Sequence, residues 1–162
     1  MAHPGMVIET TILIRALRSQ PTGPGMTFFR HTVTRTKCYV AYSTVYELYV
    51  GATTPAKVQA IDDILAGLEI LVGTQASARR AGLLRRELLR RNLDVGPLDV
   101  LIAAACLEAD LPLLTTNTEH FLRVPGLTVL YPDLLTPNAD FANIVGLSQA
   151  RNRLSRQQRG WP

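Results

Sequence analysis

The sequence predicts an α/β domain built on a short, mainly parallel five-stranded sheet, and three observations predict it. Short apolar runs of strand character alternate with stretches of helical periodicity, a pattern that needs crossover connections and therefore parallel pairing. The segment Gly96-Pro-Leu-Asp99-Val-Leu-Ile-Ala-Ala-Ala-Cys106 reads as a buried helix that feeds a buried strand at Leu113-Leu-Thr-Thr116. Both of these apolar elements carry a polar residue where they should emerge, Asp99 opening the helix and Asn117 closing the strand. In an open parallel sheet, strand ends and helix starts converge on one crevice, where ligands bind.

The elements follow in order. Met6-Val-Ile-Glu9 predicts a short buried strand, and Thr10 and Thr11 offer a cap to a helix over 12–18. Residues 20–25, with two prolines and two glycines, predict a loop. Cys38-Tyr-Val-Ala-Tyr42 has the β-branched and aromatic content of a second strand. Ser43 is then expected to cap a helix through 45–50, which Gly51 ends. Thr54-Pro55 opens another helix by the cap-plus-proline signal, with Val58, Ile61, Ile64, Leu65 and Leu68 on one face. A third strand falls at 69–72, and 74–92 is the most periodic helix of the chain, stopped by Asn92. A turn at Asp94-Val-Gly-Pro97 leads into the Asp99 helix, and runs at 113–116 and 127–131 complete the five strands.

At 162 residues the chain has the size of one domain with a proper core, and 47% hydrophobic residues argue against disorder. No apolar run approaches the roughly 20 residues needed to cross a bilayer, so no membrane association is expected. The start, Met-Ala-His-Pro-Gly, lacks the basic and apolar regions of a signal peptide, and residues 1–5 read as a leader or expression scar ahead of Met6. Residues 1–135 are expected to form the domain, and 136–162, polar and Arg/Gln-rich, a basic extension, partly helical or disordered. Cys38 and Cys106 both lie in apolar runs without a Cys or His at ligand spacing, so they read as buried thiols of a cytoplasmic protein. A formal charge of +4 favours an anionic partner.

Glu9 and Glu47 stand just after apolar, strand-like runs. With Asp99 and Asn117 they would deliver four oxygen-bearing side chains to one crevice, a set suited to a hard divalent cation. Each has an ordinary alternative: Asp99 as a helix cap, Glu47 as a solvated helix residue, Asn117 as a turn former. Glu9 is harder to explain that way, because a buried strand prefers apolar residues. Asp94 reads as a turn former, Glu119 as a cap or solvated residue of a short helix, and His120 as a rim histidine. Arg79, Arg86 and Arg90 share a helix face at i, i+7, i+11 spacing, either simply solvated or a phosphate-contacting rim. Tyr42, Tyr46 and Tyr49 form an aromatic group that fits either core or a dimer surface.

Over residues 6–131 the pattern resembles the PIN domain, and within it the VapC-like toxins of type II toxin–antitoxin pairs. The residues that carry the resemblance are Gly96-Pro-Leu-Asp99-Val-Leu-Ile-Ala-Ala, Leu114-Thr-Thr-Asn117-Thr-Glu-His120-Phe-Leu-Arg-Val-Pro-Gly-Leu127 and Ser43-Thr-Val-Tyr-Glu47-Leu-Tyr-Val-Gly51. The resemblance implies a three-layer α/β/α arrangement and a magnesium-dependent ribonuclease, with manganese as a substitute ion. It places metal ligands at Glu9, Glu47 and Asp99, a fourth catalytic position at Asn117, and auxiliary roles at Thr11, Thr115, Thr116 and Glu119. It further implies a homodimer and a cognate VapB-like antitoxin that blocks the site. A divalent cation lowers the pKa of water and polarises phosphate, the two needs of phosphodiester hydrolysis.

Two positions depart from the family pattern. Glu9 stands where Asp is usual, one methylene longer, and Thr11 stands where Asn is usual. They motivate a second reading, a catalytically impaired PIN-fold protein acting through antitoxin or RNA binding. An unrelated phosphohydrolase is disfavoured, since the first strand ends Glu-Thr-Thr without an Asp nucleophile and no Gly-rich phosphate loop is present.

Overall fold

The computed structural model describes residues 5–162. Most of the leader assigned to residues 1–5 lies outside the described residues, while Gly5 itself is buried. The strands β1 (Met6–Ile8), β2 (Cys38–Ala41), β3 (Glu69–Leu71), β4 (Leu113–Leu114) and β5 (Val129–Leu130) form one sheet in the order β3-β2-β1-β4-β5. Every pairing is parallel, as the sequence predicts. The helices are α1 (Thr10–Arg18), α2 (Pro24–Arg35), α3 (Tyr42–Val50), α4 (Pro55–Leu65), α5 (Gln75–Arg90), α6 (Pro97–Ala109), α7 (Thr118–Phe121) and α8 (Phe141–Arg159).

Side-chain alternation along the strands splits the core into two layers. Val7, Tyr39, Ala41, Leu113 and Val129 face a cluster completed by Ala81 and Leu88 of α5 and by Val100, Ile102, Ala103 and Cys106 of α6. Met6, Ile8, Val40, Leu114 and Leu130 face the opposite cluster, with Ile12, Leu13 and Ala16 of α1, Phe29 of α2, and Ile61 and Ile64 of α4. The result is the expected α/β/α stack. The central strands are buried on both faces, which is why they read as continuous apolar runs.

Several local expectations are corrected. The cap of α1 is Glu9, whose carboxylate accepts from the Thr11 amide, while Thr10 and Thr11 lie inside the helix. Ser43 does not cap α3: the cap falls two residues earlier, at Ala41, and the buried Ser43 hydroxyl has no partner among the described residues. The loop expected over 20–25 ends at Gly23, because Pro24 occupies the first turn of α2 rather than breaking a chain. A Cβ at Gly25 would lie 2.5 Å from the Arg15 carbonyl oxygen, so this glycine permits the close packing of α2 on α1. The strands at 69–72, 113–116 and 127–131 are each shorter than expected. The Thr54 cap and the Pro55 start of α4 are as expected, with the Thr54 hydroxyl accepting from Lys57 N, although Val58 points outward.

Residues 141–159 form a long helix that crosses the sheet at its β5 edge. Ile144 and Val145 enter one core layer, and Trp161, just past the helix, packs against the other. Between them the buried Asn152 side chain pairs with β5: its Oδ1 accepts from Val129 N (2.8 Å) and its Nδ2 donates to Val129 O (3.0 Å). The amide thus stands in for a neighbouring strand. The Asp140 carboxylate caps the helix by accepting from Asn143 N. Cys38 and Cys106 are free and buried, and burial pushes the Cys38 thiol up to about 12. Among the described residues no helix is long and apolar enough to cross a membrane.

Candidate functional site

The crevice lies at the C-terminal ends of β1 and β4, where the sheet order reverses around the central strand. Glu9 ends β1, its amide donating to Leu114 O (2.9 Å), and its side chain is only 3% exposed. Glu47 projects from the middle of α3, immediately after β2. Asp99 sits in the first turn of α6, which begins at Gly96 with φ of 85°, a left-handed backbone suited to glycine. A carboxylate in that first turn also faces the favourable end of the helix dipole.

These three carboxylates sense one another. Burial pushes the Glu9 carboxyl up; hydrogen bonds from Thr11 and Thr115 oppose the shift, and Asp99 adds to it. Glu47 is pushed up by burial and then by the negative charges of Asp99 and Glu9. Asp99 is raised by burial, against the opposing influence of His120. Acidic groups raised by burial, with the Asp99 charge adding to both glutamates, form a crevice that favours a cation.

A polar network fixes Glu9. Its Oε2 accepts from Thr11 N (3.1 Å), from Thr11 Oγ1 and from Thr115 Oγ1 (2.8 Å). Thr116 Oγ1 donates to Thr11 Oγ1 (2.9 Å), and Asn117 N donates to Thr115 Oγ1 (2.9 Å). Thr11 and Thr115 therefore bond Glu9 directly, and Thr116 reaches it only through Thr11. Glu9 and Thr11 fit one another: the carboxylate reaches over the start of α1 and meets both the Thr11 amide and its hydroxyl. Asn117 is exposed at the lip of the crevice, in the cap position of α7, and its side chain makes no capping bond.

Glu119 is drawn to Arg159 (2.7 Å) rather than to the carboxylates. His120, read from sequence as a rim residue, has a closer role: its Nε2 lies 2.9 Å from Asp99 Oδ2 and 3.0 Å from Val95 O. Its spacing from Asp99 in the chain gave no signal of that contact. Asp94 is more than a turn former, since it pairs with Arg85 (3.1 Å) and accepts from Gly96 N, bracing the turn into α6. Arg79, Arg86 and Arg90 are exposed on α5, which packs on α6. Arg90 is paired with Glu87 (3.2 Å), and among the described residues Arg79 and Arg86 have no ion pair.

The donor chemistry fits a hard divalent ion. Oε1 of Glu9, Oδ1 of Asp99 and both oxygens of Glu47 accept no hydrogen bond among the described residues. As placed, no three His, Cys, Asp or Glu groups among the described residues close on a single point. Magnesium tolerates this, because it keeps several waters and uses only one or two carboxylates. A cavity of about 240 Å³ opens beside Glu47, walled by Ile14, Leu17, Leu48 and Ile61 with Arg18 and Lys57 among its lining.

Comparison with known proteins places the chain in a family. Residues 6–127 match the PIN domain family. The chain is 28% identical over 125 residues to a tRNA(fMet)-specific endonuclease VapC of Shigella flexneri, spanning 75% of this chain and 92% of that one. The structure of DNA-bound VapBC from Salmonella typhimurium superposes with a TM-score of 0.69 at 25% identity, covering 80% of this chain and 99% of that one. VapBC2 of Rickettsia felis, bound to a promoter DNA fragment, gives the same TM-score at 23% identity, with 78% and 97% covered.

Proposed function

The chain belongs to the PIN domain family, and from that premise we propose that it is a VapC-like ribonuclease toxin that hydrolyses RNA phosphodiesters and is held in check by a VapB-like antitoxin. The observation that carries the reading is the placement of Glu9, Glu47 and Asp99 at the switch point of the sheet, close enough that the Asp99 charge pushes both glutamates up. Glu9, Glu47 and Asp99 would hold the divalent ion, Mg²⁺ or Mn²⁺, and PIN-domain nucleases generally use such ions. The ion supplies activation of water and neutralisation of charge on the phosphoryl oxygens.

The chain's own residues do the rest. Thr11 and Thr115 fix the Glu9 carboxylate, so its free oxygen faces the crevice without further reorganisation. His120 orients Asp99 in the same way. Asn117, at the lip, offers an amide to water or to a phosphate oxygen. Arg79 and Arg86 would attract the RNA backbone without reading its sequence.

The similarity to proteins solved as VapBC assemblies supports an antitoxin partner, and the apolar cavity beside Glu47 gives a segment of it a place to lie. Tyr42, Tyr46, Val50, Ile70 and Val72 are exposed on α3 and beside β3, an apolar surface suited to homodimer formation. The second reading, a binding protein with impaired catalysis, draws on Glu9, since one oxygen of this carboxylate is fully committed to its neighbours.

Incubating cellular RNA with the protein, with Mg²⁺ or Mn²⁺ or with chelator, tests the proposal. Discrete, chelator-sensitive cuts that fall at least about a hundredfold in rate with Asp99→Asn are expected. Antitoxin binding without cleavage by the parent chain or by Glu9→Asp would instead establish the binding role.

A further inference from the structure

The family match ends at residue 127, yet α8 and the residues after it grip the segment that carries His120. The Arg156 guanidinium is half-buried, has no carboxylate partner among the described residues, and spends its donors on three main-chain carbonyls of one short stretch. Nε donates to Leu122 O (3.0 Å), and Nη2 to Val124 O (2.9 Å) and Leu127 O (2.7 Å). Leu122 closes α7, a helix of one turn: the amides of Leu122, Arg123 and Val124 take up the Thr118, His120 and Phe121 carbonyls, and Arg156 takes up that of Leu122. Arg159 holds the same helix from its exposed side through Glu119. Trp161 lies under the guanidinium groups of both Arg159 (4.9 Å) and Arg123 (5.7 Å), and Arg123 in turn donates to Asp94 O in the turn that begins α6.

Everything held this way leads to one contact. His120 sits in the middle of α7, and its Nε2 is shared between Asp99 Oδ2 and Val95 O. His120 is the one side chain paired with the Asp99 carboxylate among the described residues, and it rides on a one-turn helix anchored by the buried Phe121 on one side and by Arg156 at its end. A lysine could not replace the arginine, because a single ammonium lacks the planar fork that reaches several carbonyls at once.

We propose that Arg156 is a positioning residue for the cation site, acting through α7 and His120 on Asp99, so that the helix beyond the family-matched region tunes the catalytic crevice. This rests on the reading of Asp99 as a cation ligand. The test uses the full chain and compares Arg156→Ala, Arg156→Lys and His120→Ala with Ile144→Ala, which weakens the packing of α8 far from α7. Three quantities are measured: Tm, Mn²⁺ affinity by calorimetry, and the NMR resonances of the His120 ring.

The expected result for Arg156→Ala is about tenfold weaker Mn²⁺ binding, the low end of the loss seen when support of a metal ligand is removed. The His120 resonances should move, and the loss should not add to that of His120→Ala. Arg156→Lys should behave in the same way with a smaller drop in Tm. Ile144→Ala should lower Tm with affinity and His120 resonances unchanged. If Arg156→Ala and Arg156→Lys lower Tm alone, leaving both the affinity and the His120 resonances as in the parent, α8 merely braces the fold and the proposal is overturned. If the parent chain takes up no Mn²⁺, the cation reading itself fails, and unmoved His120 resonances then remove the mechanical link as well.

Discussion

At the scale of single residues, the chemistry centres on Glu9. Its place after an apolar strand made it legible in the sequence, because the interior of a parallel sheet has no ordinary use for a carboxylate. What the sequence does not show is why glutamate works there. In the fold the carboxylate reaches over the start of α1 and accepts from both Thr11 and Thr115. Glu9 and Thr11 therefore form one hydrogen-bonded unit. Glu9→Asp alone is expected to lose at least one of these contacts and to cost ~1–2 kcal/mol, since the donors left behind are largely buried. Adding Thr11→Asn should recover part of that loss, with a coupling energy of ~1 kcal/mol in a double-mutant cycle read by urea denaturation. Strict additivity would show that the two positions are independent. His120 was visible only as a lone histidine, because its partner Asp99 is distant in sequence and the contact forms only when α7 folds back on α6.

At the scale of elements, the strongly patterned segments were readable and the weakly patterned ones were not. The strands β1 and β2, the α4 start at Thr54-Pro55 and the apolar α6 all follow from local rules. Helix α2 escaped because its Pro24-Gly25 start has the composition of a loop and its threonines weaken the helical stripe. The segment holding α8 was expected to be partly helical or disordered; Ile144 and Val145 seat its start in the core, while the contacts further along it are polar. Asn152 and Arg156 bond to main-chain groups, and no hydrophobic pattern announces such contacts. Asn152 matters because β5 is an edge strand of two residues, and an uncovered edge invites pairing with other chains. Asn152→Ala leaves the Val129 amide and carbonyl unsatisfied and is expected to cost ~2–4 kcal/mol. Asn152→Asp should be no better, because it keeps the acceptor, loses the donor and buries a charge. Denaturant melts of the two variants check this, and a loss below ~1 kcal/mol for Asn152→Ala would mean that water satisfies the strand edge.

At the scale of the whole molecule, the crevice is a place where stability is given up, and the sign of that cost is fixed by the direction of the shifts. Glu9, Glu47 and Asp99 all have carboxyl groups raised above their usual values. Each binds its proton more tightly in the folded chain than in the unfolded one. Between the ordinary and the raised value the native state therefore holds more protons, and stability falls as pH rises through that interval. Below it the cost is absent, and above it the cost is present in full. Glu87 and Asp94 run the other way, lowered by hydrogen bonds from Arg91 and Arg85, so the total pH profile mixes both. Glu47→Gln isolates the crevice, because among the described residues the Glu47 side chain makes no hydrogen bond that the substitution would break. In chelator at pH 7.5 it should raise Tm by about 1–2 °C, a small gain because solvent screens this half-buried group, and the gain should vanish near pH 4. Divalent ions should reverse the ranking: an ion bound only by the native state stabilises it by mass action, so millimolar Mn²⁺ should raise Tm of the parent more than that of Glu47→Gln. A variant less stable than the parent in chelator at pH 7.5 would show that Glu47 supports the fold and is not strained by its acidic neighbours.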